Sequence, residues 1–535
     1  MKLAGEVRPM AKKKRRSQTA PDHSSKPVPA AASSGSIVNE SSAKLLRAHP
    51  VDSISMVMFI FLLGIVPLAV RTKVLDYTAP RIINPAVDTG LQVGMFAYYK
   101  WLLVIVGAMI VLAVLLYKIG AQQYRLRLSY LNAPLLMLVV LTLGSVMAAE
   151  YKSIALFGLY NQRDGALLLL AYLGLCLAAA NTIYKPWFKS GVDIALIVFV
   201  AINTIIMLLD FNGYKLMQAD LIRAILAPAE LRSSLIGSIG NTMGNVNYIS
   251  GMGAALFAYF TAGTLLYRNI KRQLVVAAAA LAAFVMVLLS FSSSGFVTLV
   301  LLAPLFLLVL WHSKDRRRCL MAGGSLLTAC LLVFLLLNSI NPYIYQETVG
   351  FFLPQATNIQ EMAAPPKPAL SLPAPEFQLP QPGWSPGTGR TYNWSETLEL
   401  TAERPWLGYG YGTLTYYFPQ DDINKVANMY SYNTLITKPH SMYMGVAFGL
   451  GIPALLILLS LFGLHFYFTG RNLWSQRLGT NSIFAVSLFL FFCAFIIQAL
   501  FNDPVVDAGA IFWILLGVSV SVNKEVDQPS PDCII

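Results

Sequence analysis

The residues of this chain best suited to chemistry are one imidazole and a few guanidinium groups, arranged around a hydrophilic stretch that runs from Asn338 to Pro439 and ends on His440. The stretch carries Arg390, Trp394 and glycines at 408, 410 and 412, and a long loop inside a compact protein is commonly a functional one. Earlier in the chain, Arg163 stands in the run Tyr160, Asn161, Gln162, Arg163, Asp164, Gly165, just before an apolar segment. Arg232 precedes a turn rich in glycine and asparagine: Gly237, Gly240, Asn241, Gly244, Asn245, Asn247. Arginine stays charged and grips phosphate oxygens in pairs, so a cluster of arginines can stabilise a phosphate or pyrophosphate leaving group. Histidine, with an ordinary pKa of about 6.5, can take a proton from an attacking hydroxyl. Aromatic side chains such as Trp394 and Tyr443 offer flat faces for sugar rings and polar edges for their hydroxyls. Taken together, these residue types suit transfer of a group from a lipid phosphate or pyrophosphate.

The elements that must position them lie in a membrane. The chain has 535 residues, of which 56% are hydrophobic and 12% charged, more apolar surface than one soluble core can hide. A helix needs about 20 apolar residues to cross the roughly 30 Å of hydrocarbon, and twelve runs of about that length are legible, from 53–70 to 507–522. The expected fold is therefore an all-α polytopic membrane protein of about twelve transmembrane helices, with one large outer loop containing short helices.

The net charge of +13 reports topology rather than a nucleic-acid partner. Lys12 to Arg16, Lys118, Arg125, Arg127, Lys185, Lys189, Arg268, Lys271, Arg272, Lys314, Arg316, Arg317, Arg318, Arg471 and Arg477 all fall on one side when the runs alternate. By the positive-inside rule that side is cytoplasmic, and both termini lie there. The resulting division is a disordered basic tail over 1–50, helices 1 to 9 over 51–337, the outer loop over 338–440, helices 10 to 12 over 441–522 and a short cytoplasmic tail over 523–535. No cleavable signal peptide is expected, because the charged region is long and the first apolar run is of spanning length. The five cysteines lie in apolar runs or on the inner side, which leaves the outer loops no disulfide framework.

Topology makes the polar residues selective. Of five histidines, His23, His49, His312 and His465 fall on the inner side or near inner helix ends, and His440 is the outer one. The loop divides into a Pro-rich insert over 354–386 and a part over 390–440 of different character. In the second part Ser395 is a candidate helix N-cap, Pro405 stops the helix, and Trp406 to Gly412 forms an aromatic and glycine turn. The spaced glycines lack the βαβ context of a dinucleotide loop. Plainer readings stand beside the chemical ones: an interfacial arginine can simply reach lipid head groups, and the Gly/Asn turn can be a helix entry. Asp503 and Asp507 flank a short outer turn, where capping is the plain role, and the absence of acids spaced with a histidine favours metal-independent chemistry without a cofactor.

The order of these motifs resembles the O-antigen ligase and O-antigen polymerase superfamily, over roughly residues 140–465. The resemblance rests on Arg163 and Gly165, on Arg232 ahead of Gly240, Asn241, Gly244, Asn245 and Asn247, and on Ser292 to Gly295. It continues through Gly389, Arg390, Trp394, Pro405, Leu407, Gly408, Gly410, Gly412, Pro439, His440 and Tyr443. It implies transfer of a glycan from undecaprenyl pyrophosphate to an acceptor on the outer face of the cytoplasmic membrane. His440 would be the base, Arg390 and Arg232 would bind the pyrophosphate, and Arg163 would be a weaker contributor, with Trp394 and Tyr443 on the sugar. The acceptor is lipid A core in ligases, another repeat unit in polymerases and a protein hydroxyl in the O-oligosaccharyltransferases. This chain has Ser441 where the family often has Asn, and Ser293 where it often has Arg. A polytopic transporter is the competing reading, weakened by the scarcity of charges within the apolar runs, where Asp193 and Lys100 are the main exceptions. A sensor or scaffold whose loop binds a partner is a third.

Overall fold

A computed structural model describes residues 50–83, 85–234, 240–353, 380–381, 389–429 and 434–527. All but the last residue of the expected basic tail over 1–50, nearly all of the Pro-rich insert over 354–386 and the last eight residues lie outside the described residues.

The chain opens with α1 (Asp52–Gly64), a hairpin of β1 (Lys73–Tyr77) and β2 (Gly90–Gly94), and the long α2 (Tyr98–Gln122). The hairpin is antiparallel, with Lys73 opposite Gly94 and Tyr77 opposite Gly90. It occupies the segment between the first two long helices, which hydropathy alone leaves featureless. Next come α3 (Asn132–Ala148), the short α4 (Lys152–Phe157), α5 (Ala166–Ala180), α6 (Pro186–Phe211) and the short α7 (Asp220–Leu226). The middle of the molecule is α8 (Val246–Leu266), α9 (Ile270–Leu289), α10 (Ser293–His312) and α11 (Arg316–Ile340), followed by the short α12 (Tyr343–Glu347). Beyond the loop insert stand α13 (Arg390–Glu403), α14 (Ile423–Met429), α15 (Met442–Leu450), α16 (Ile452–Trp474), α17 (Ile483–Gln498) and α18 (Val506–Asp527).

Nine helices among the described residues are long and apolar enough to cross a membrane, and three shorter apolar helices, Asp52–Leu68, Asn132–Ala148 and Ala166–Ala180, coincide with three more of the predicted runs. The fold is thus an all-α polytopic membrane fold. Its centre is α8 and α18, which are almost wholly enclosed, while α11 is mostly exposed at the periphery.

The enclosure follows from side-chain size, because lipid gives apolar helices no reason to associate and small residues let backbones approach. A Cβ on Gly251 of α8 would sit 2.4 Å from Gln498 of α17. A Cβ on Gly517 of α18 would sit 2.3 Å from the Cys176 carbonyl of α5. Helix starts are set locally: Asn245 caps α8 through the Asn247 amide at 2.8 Å, and Asp315 caps α11 through the Arg318 amide at 3.4 Å.

Two buried ion pairs lock the helices. Lys118 near the end of α2 bonds Asp52 of α1 at 2.6 Å, and Lys100 near its start bonds Asp507 of α18 at 2.6 Å. Asp507 also accepts from the Ala508 amide at 2.9 Å, so it does more than the capping expected of it. The apolar run over 441–465 is not one helix. It breaks at Gly451 (φ +89°), leaving the nine-residue α15 as a separate helix ahead of α16.

Candidate active site

His440 follows an extended segment and stands two residues before the first residue of α15, with Ser441 between them at the N-cap position. Each residue before it is held by a different part of the molecule. Ile436 is clamped by Gln420, whose amide nitrogen donates to its carbonyl at 2.7 Å and whose amide oxygen accepts from its N–H at 3.0 Å. The Thr437 hydroxyl accepts from the Gln162 side chain at 2.7 Å, and the Lys438 ammonium pairs with Asp164 at 2.8 Å. The Pro439 carbonyl accepts from the Trp394 indole at 2.9 Å. His440 then turns the chain with φ +57°, a left-handed conformation that costs about 1–3 kcal/mol in a residue other than glycine. Such strain persists where surrounding contacts over-determine the backbone, as they do here.

The start of α15 is hooked in turn onto the connection between α17 and α18. The Met442 amide donates to the carbonyls of Ala499 at 2.9 Å and Asn502 at 3.1 Å. This hook carries Asp503 to the imidazole: its carboxylate oxygen lies 3.5 Å from Nδ1 of His440, with the imidazole about a third exposed (36%) and the carboxylate buried (7%). The contact is longer than an ordinary hydrogen bond, and it is well within reach for orienting a ring that gains charge.

Arg390 opens α13, with Gly389 in a left-handed conformation (φ +61°) ahead of it. The helix therefore begins a full turn before the expected cap at Ser395. The earlier start puts Arg390 and Trp394 four residues apart on one helix face. Trp394 holds Pro439, and the Arg390 guanidinium, whose pKa burial lowers, is drawn back up by the Asp503 carboxylate. Asp503 thus lies beside the imidazole and also acts electrostatically on the guanidinium.

A buried polar cluster underlies this surface. Burial alone would pull the Lys438 ammonium down, but the Asp164 carboxylate, with Tyr248 and Asp503 behind it, holds it above the ordinary lysine range. Burial pushes the Tyr411 hydroxyl up, and Asp164 and Asp503 push the same way while Lys438 opposes them. Among the described residues, one buried oxygen each of Asp164, Asn502 and Asp503 here has no hydrogen-bond partner, as have both side-chain polar atoms of Asn393. Unsatisfied buried groups are uncommon and ask for a reason, and a polar ligand is one.

The glycine turn is structural. Gly408 (φ +64°) lies so close to the α15–α16 break that a Cβ would meet the Phe448 carbonyl at 2.3 Å. The amides of Tyr409 and Gly410 donate to the carbonyls of Phe448 and Gly449, both at 3.0 Å, and the Ile452 amide donates to Pro405 at 2.7 Å. Main chain bonded to main chain docks the loop on the broken helix and satisfies groups the break would orphan.

The remaining predicted residues are placed differently. Arg163 is also left-handed (φ +52°), and its guanidinium stacks over the rings of Tyr98 and Trp101 at 5.5 and 5.6 Å, while Gln162 and Asp164 on either side grip the His440 segment. Arg232 is exposed, and its hydrogen bond among the described residues, from Nε to the Ala227 carbonyl at 3.3 Å, stays within its own loop. The Tyr443 hydroxyl donates to the Ile496 carbonyl at 2.7 Å, which fastens α15 to α17. The Ser-rich turn joins the same end of the bundle. Ser292 donates to Asn247 at 2.7 Å, and the Asn502 side chain donates to the Asn247 carbonyl at 3.2 Å.

Sequence reasoning missed Asp503, Asp164, Lys438, Gln162 and Gln420 as parts of one arrangement. Lys438 and Asp164 each adjoin or nearly adjoin a predicted residue, which was the available signal. The pairing itself needs the folded chain.

Residues 277–459 match a family model described as O-antigen ligase. The match contains Arg390, Trp394, His440 and Tyr443, with Arg163 and Arg232 before it and Asp503 beyond it. No curated protein matches the chain.

Proposed function

We propose that this multi-pass membrane protein, whose residues 277–459 match the O-antigen ligase family, moves a glycan from undecaprenyl pyrophosphate to an acceptor hydroxyl at the outer face of the cytoplasmic membrane. The family match supports a membrane glycan enzyme of the ligase and polymerase type, and the geometry around His440 supports the assignment of roles. One observation carries the reading: four consecutive residues, 436 to 439, are each pinned by a separate partner, and the pinning delivers the imidazole of His440, on a left-handed backbone, to a buried carboxylate.

In this reaction the acceptor hydroxyl gives its proton to Nε2 of His440, whose Nδ1 faces Asp503. The acceptor oxygen forms a bond to the anomeric carbon as the bond from that carbon to the pyrophosphate oxygen breaks. The electron pair leaves with the lipid pyrophosphate, and Arg390 stabilises the charge that develops there. Asp503 favours the imidazolium that forms, as the buried acid of a His–Asp pair does. Trp394 serves as both sugar platform and anchor for Pro439. Arg163 and the exposed Arg232 would contribute positive charge to draw in the anionic donor, and the Tyr443 ring would line the acceptor side. On this reading both termini are cytoplasmic and 390–440 is the catalytic part of the outer loop. A polymerase using a second lipid-linked glycan as acceptor is the alternative within the same chemistry.

The test is to incubate purified protein with a lipid-pyrophosphate oligosaccharide and candidate acceptors, and to weigh the products. A product whose mass is acceptor plus glycan, formed with release of the lipid pyrophosphate, is expected. Consumption of donor without any acceptor-linked product would contradict the proposal.

A further inference from the structure

The end of the bundle opposite His440 holds a cavity of its own. It measures about 460 Å³ and is lined by Arg268, Lys314, Arg318 and Arg477, with Asp315 as its acid and Leu265 and Leu478 among its apolar walls. Helix α8 fixes the separation: its start bonds Asn502 beside the candidate active site, and Leu265 near its other end lines this cavity. Twenty-one helical residues span about 30 Å, the thickness of the hydrocarbon layer.

The cavity is built rather than accidental. Two distant turns form its floor. The Lys314 amide donates to the Leu478 carbonyl at 2.9 Å, and the Leu478 amide donates to the His312 carbonyl at 3.0 Å. Arg318 is held at the wall by donating to the carbonyls of Tyr267 at 2.8 Å and Arg268 at 2.7 Å, and the Arg477 guanidinium donates to the Trp311 carbonyl at 3.4 Å. Among the described residues none of the four cations pairs with a carboxylate, and the one acid, Asp315, is engaged in capping α11. Four cations around a cavity with one committed acid make a receptor for phosphate.

The helix faces beside the cavity are apolar and exposed: Trp311, whose carbonyl holds Arg477, Leu320, next to the lining Cys319, and Trp474. A soluble anion has no use for those faces. A phospholipid has a phosphate for the basic cavity and acyl chains for the apolar faces, and basic pockets between helix ends are where anionic head groups are held.

We propose that this cavity is a binding site for the phosphate of an anionic membrane lipid, with its acyl chains along the exposed apolar faces beside it. The chemistry at the ligand end is phosphate recognition by arginine and lysine, and the apolar faces select the lipid over a free phosphate. Independent of the glycan-transfer reading, the site is one whole membrane thickness away from His440.

Native mass spectrometry of the full chain in detergent tests it, with phosphatidylglycerol and phosphatidylcholine as probes and inorganic phosphate as competitor. The wild-type chain should retain phosphatidylglycerol in preference to phosphatidylcholine. Removing two lining charges, Lys314→Gln with Arg477→Gln, should weaken that binding by about thirtyfold, the effect of two basic residues on an anionic lipid. Removing two charges at the same end that do not line the cavity, Lys271→Gln with Arg317→Gln, should leave it nearly unchanged. Equal retention of the two lipids, or equal loss in the two double variants, would show that these residues act only as diffuse charge and would overturn the site. Displacement of phosphatidylglycerol by an equimolar amount of inorganic phosphate would overturn the lipid assignment.

Discussion

At the scale of single residues the account rests on His440 and the groups that face it. The imidazole and the Asp503 carboxylate lie 3.5 Å apart, and a neutral amide in place of that carboxylate keeps the shape while removing the charge that favours an imidazolium. Asp503→Asn should therefore lower the transfer rate by roughly a hundred- to a thousandfold with little change in melting temperature, within the usual range for acid–base catalysis. A steady-state rate with saturating donor checks this, and an unchanged rate would leave Asp503 a bystander. Arg390 makes a finer case. Arg390→Lys keeps the charge and loses the planar fork, so an affinity for the donor that falls several-fold marks paired recognition of pyrophosphate, whereas wild-type affinity marks simple charge attraction. His440 stood out as a candidate in the sequence because topology leaves it the one outer histidine, and Arg390 because of its place in the motif order that resembles the family. Asp503 did not. It stands 63 residues after His440 in the chain, and only the hook from Met442 to the Ala499 and Asn502 carbonyls brings the two together.

At the scale of elements the site depends on a tether and a docking surface. The buried pair of Asp164 and Lys438 fastens the start of α5 to the segment ahead of His440, and removing one partner strands a charge. Lys438→Met should destabilise the protein by about 3–5 kcal/mol, and Asp164→Leu added to it should restore much of the loss. Thermal unfolding in detergent reads both. Transfer should stay low in the double variant, because His440 is still unpinned; full transfer would show that the tether serves stability alone. The lysine's folded pKa is raised, so its contribution is complete below the ordinary lysine value of 10.5 and is lost only as pH rises through the higher folded value. Between about pH 6 and 9 the lysine's side of the tether should thus be constant in the same melts. The break between α15 and α16 is equally exacting. Gly451→Ala would place a Cβ 2.3 Å from the Trp406 carbonyl at φ +89°, a strain of at least about 1–2 kcal/mol. Faster proteolysis of the loop in that variant would follow from its undocking, and an unaltered digestion pattern would count against it. The break was illegible beforehand because Gly451, Ile452 and Pro453 are themselves apolar, so a hydropathy window reads straight across them.

At the scale of the whole molecule, two ends of one helical bundle carry different chemistry. The spans were legible because hydrocarbon imposes a length on them, and nine of the predicted runs appear as helices of spanning length with three more as shorter apolar helices. The central place of α8 and α18 was less legible, since small residues mark close approach without naming the neighbour. The basic end was read as a statement of orientation and proves also to enclose a cavity. Orientation has its own consequence. With Ser395→Cys on the outer loop and Ser475→Cys at the basic end, both exposed positions, an impermeant maleimide applied to intact spheroplasts should label the first and spare the second. Labelling of the second alone would invert the topology and put His440 on the wrong side for the proposed donor. The most direct test of the central claim remains the initial rate of glycan transfer by His440→Ala protein, compared with wild type at equal amounts in the membrane. A fall of about a hundredfold or more, with an unchanged melting temperature, is the predicted result. A rate equal to that of the wild type would contradict the account.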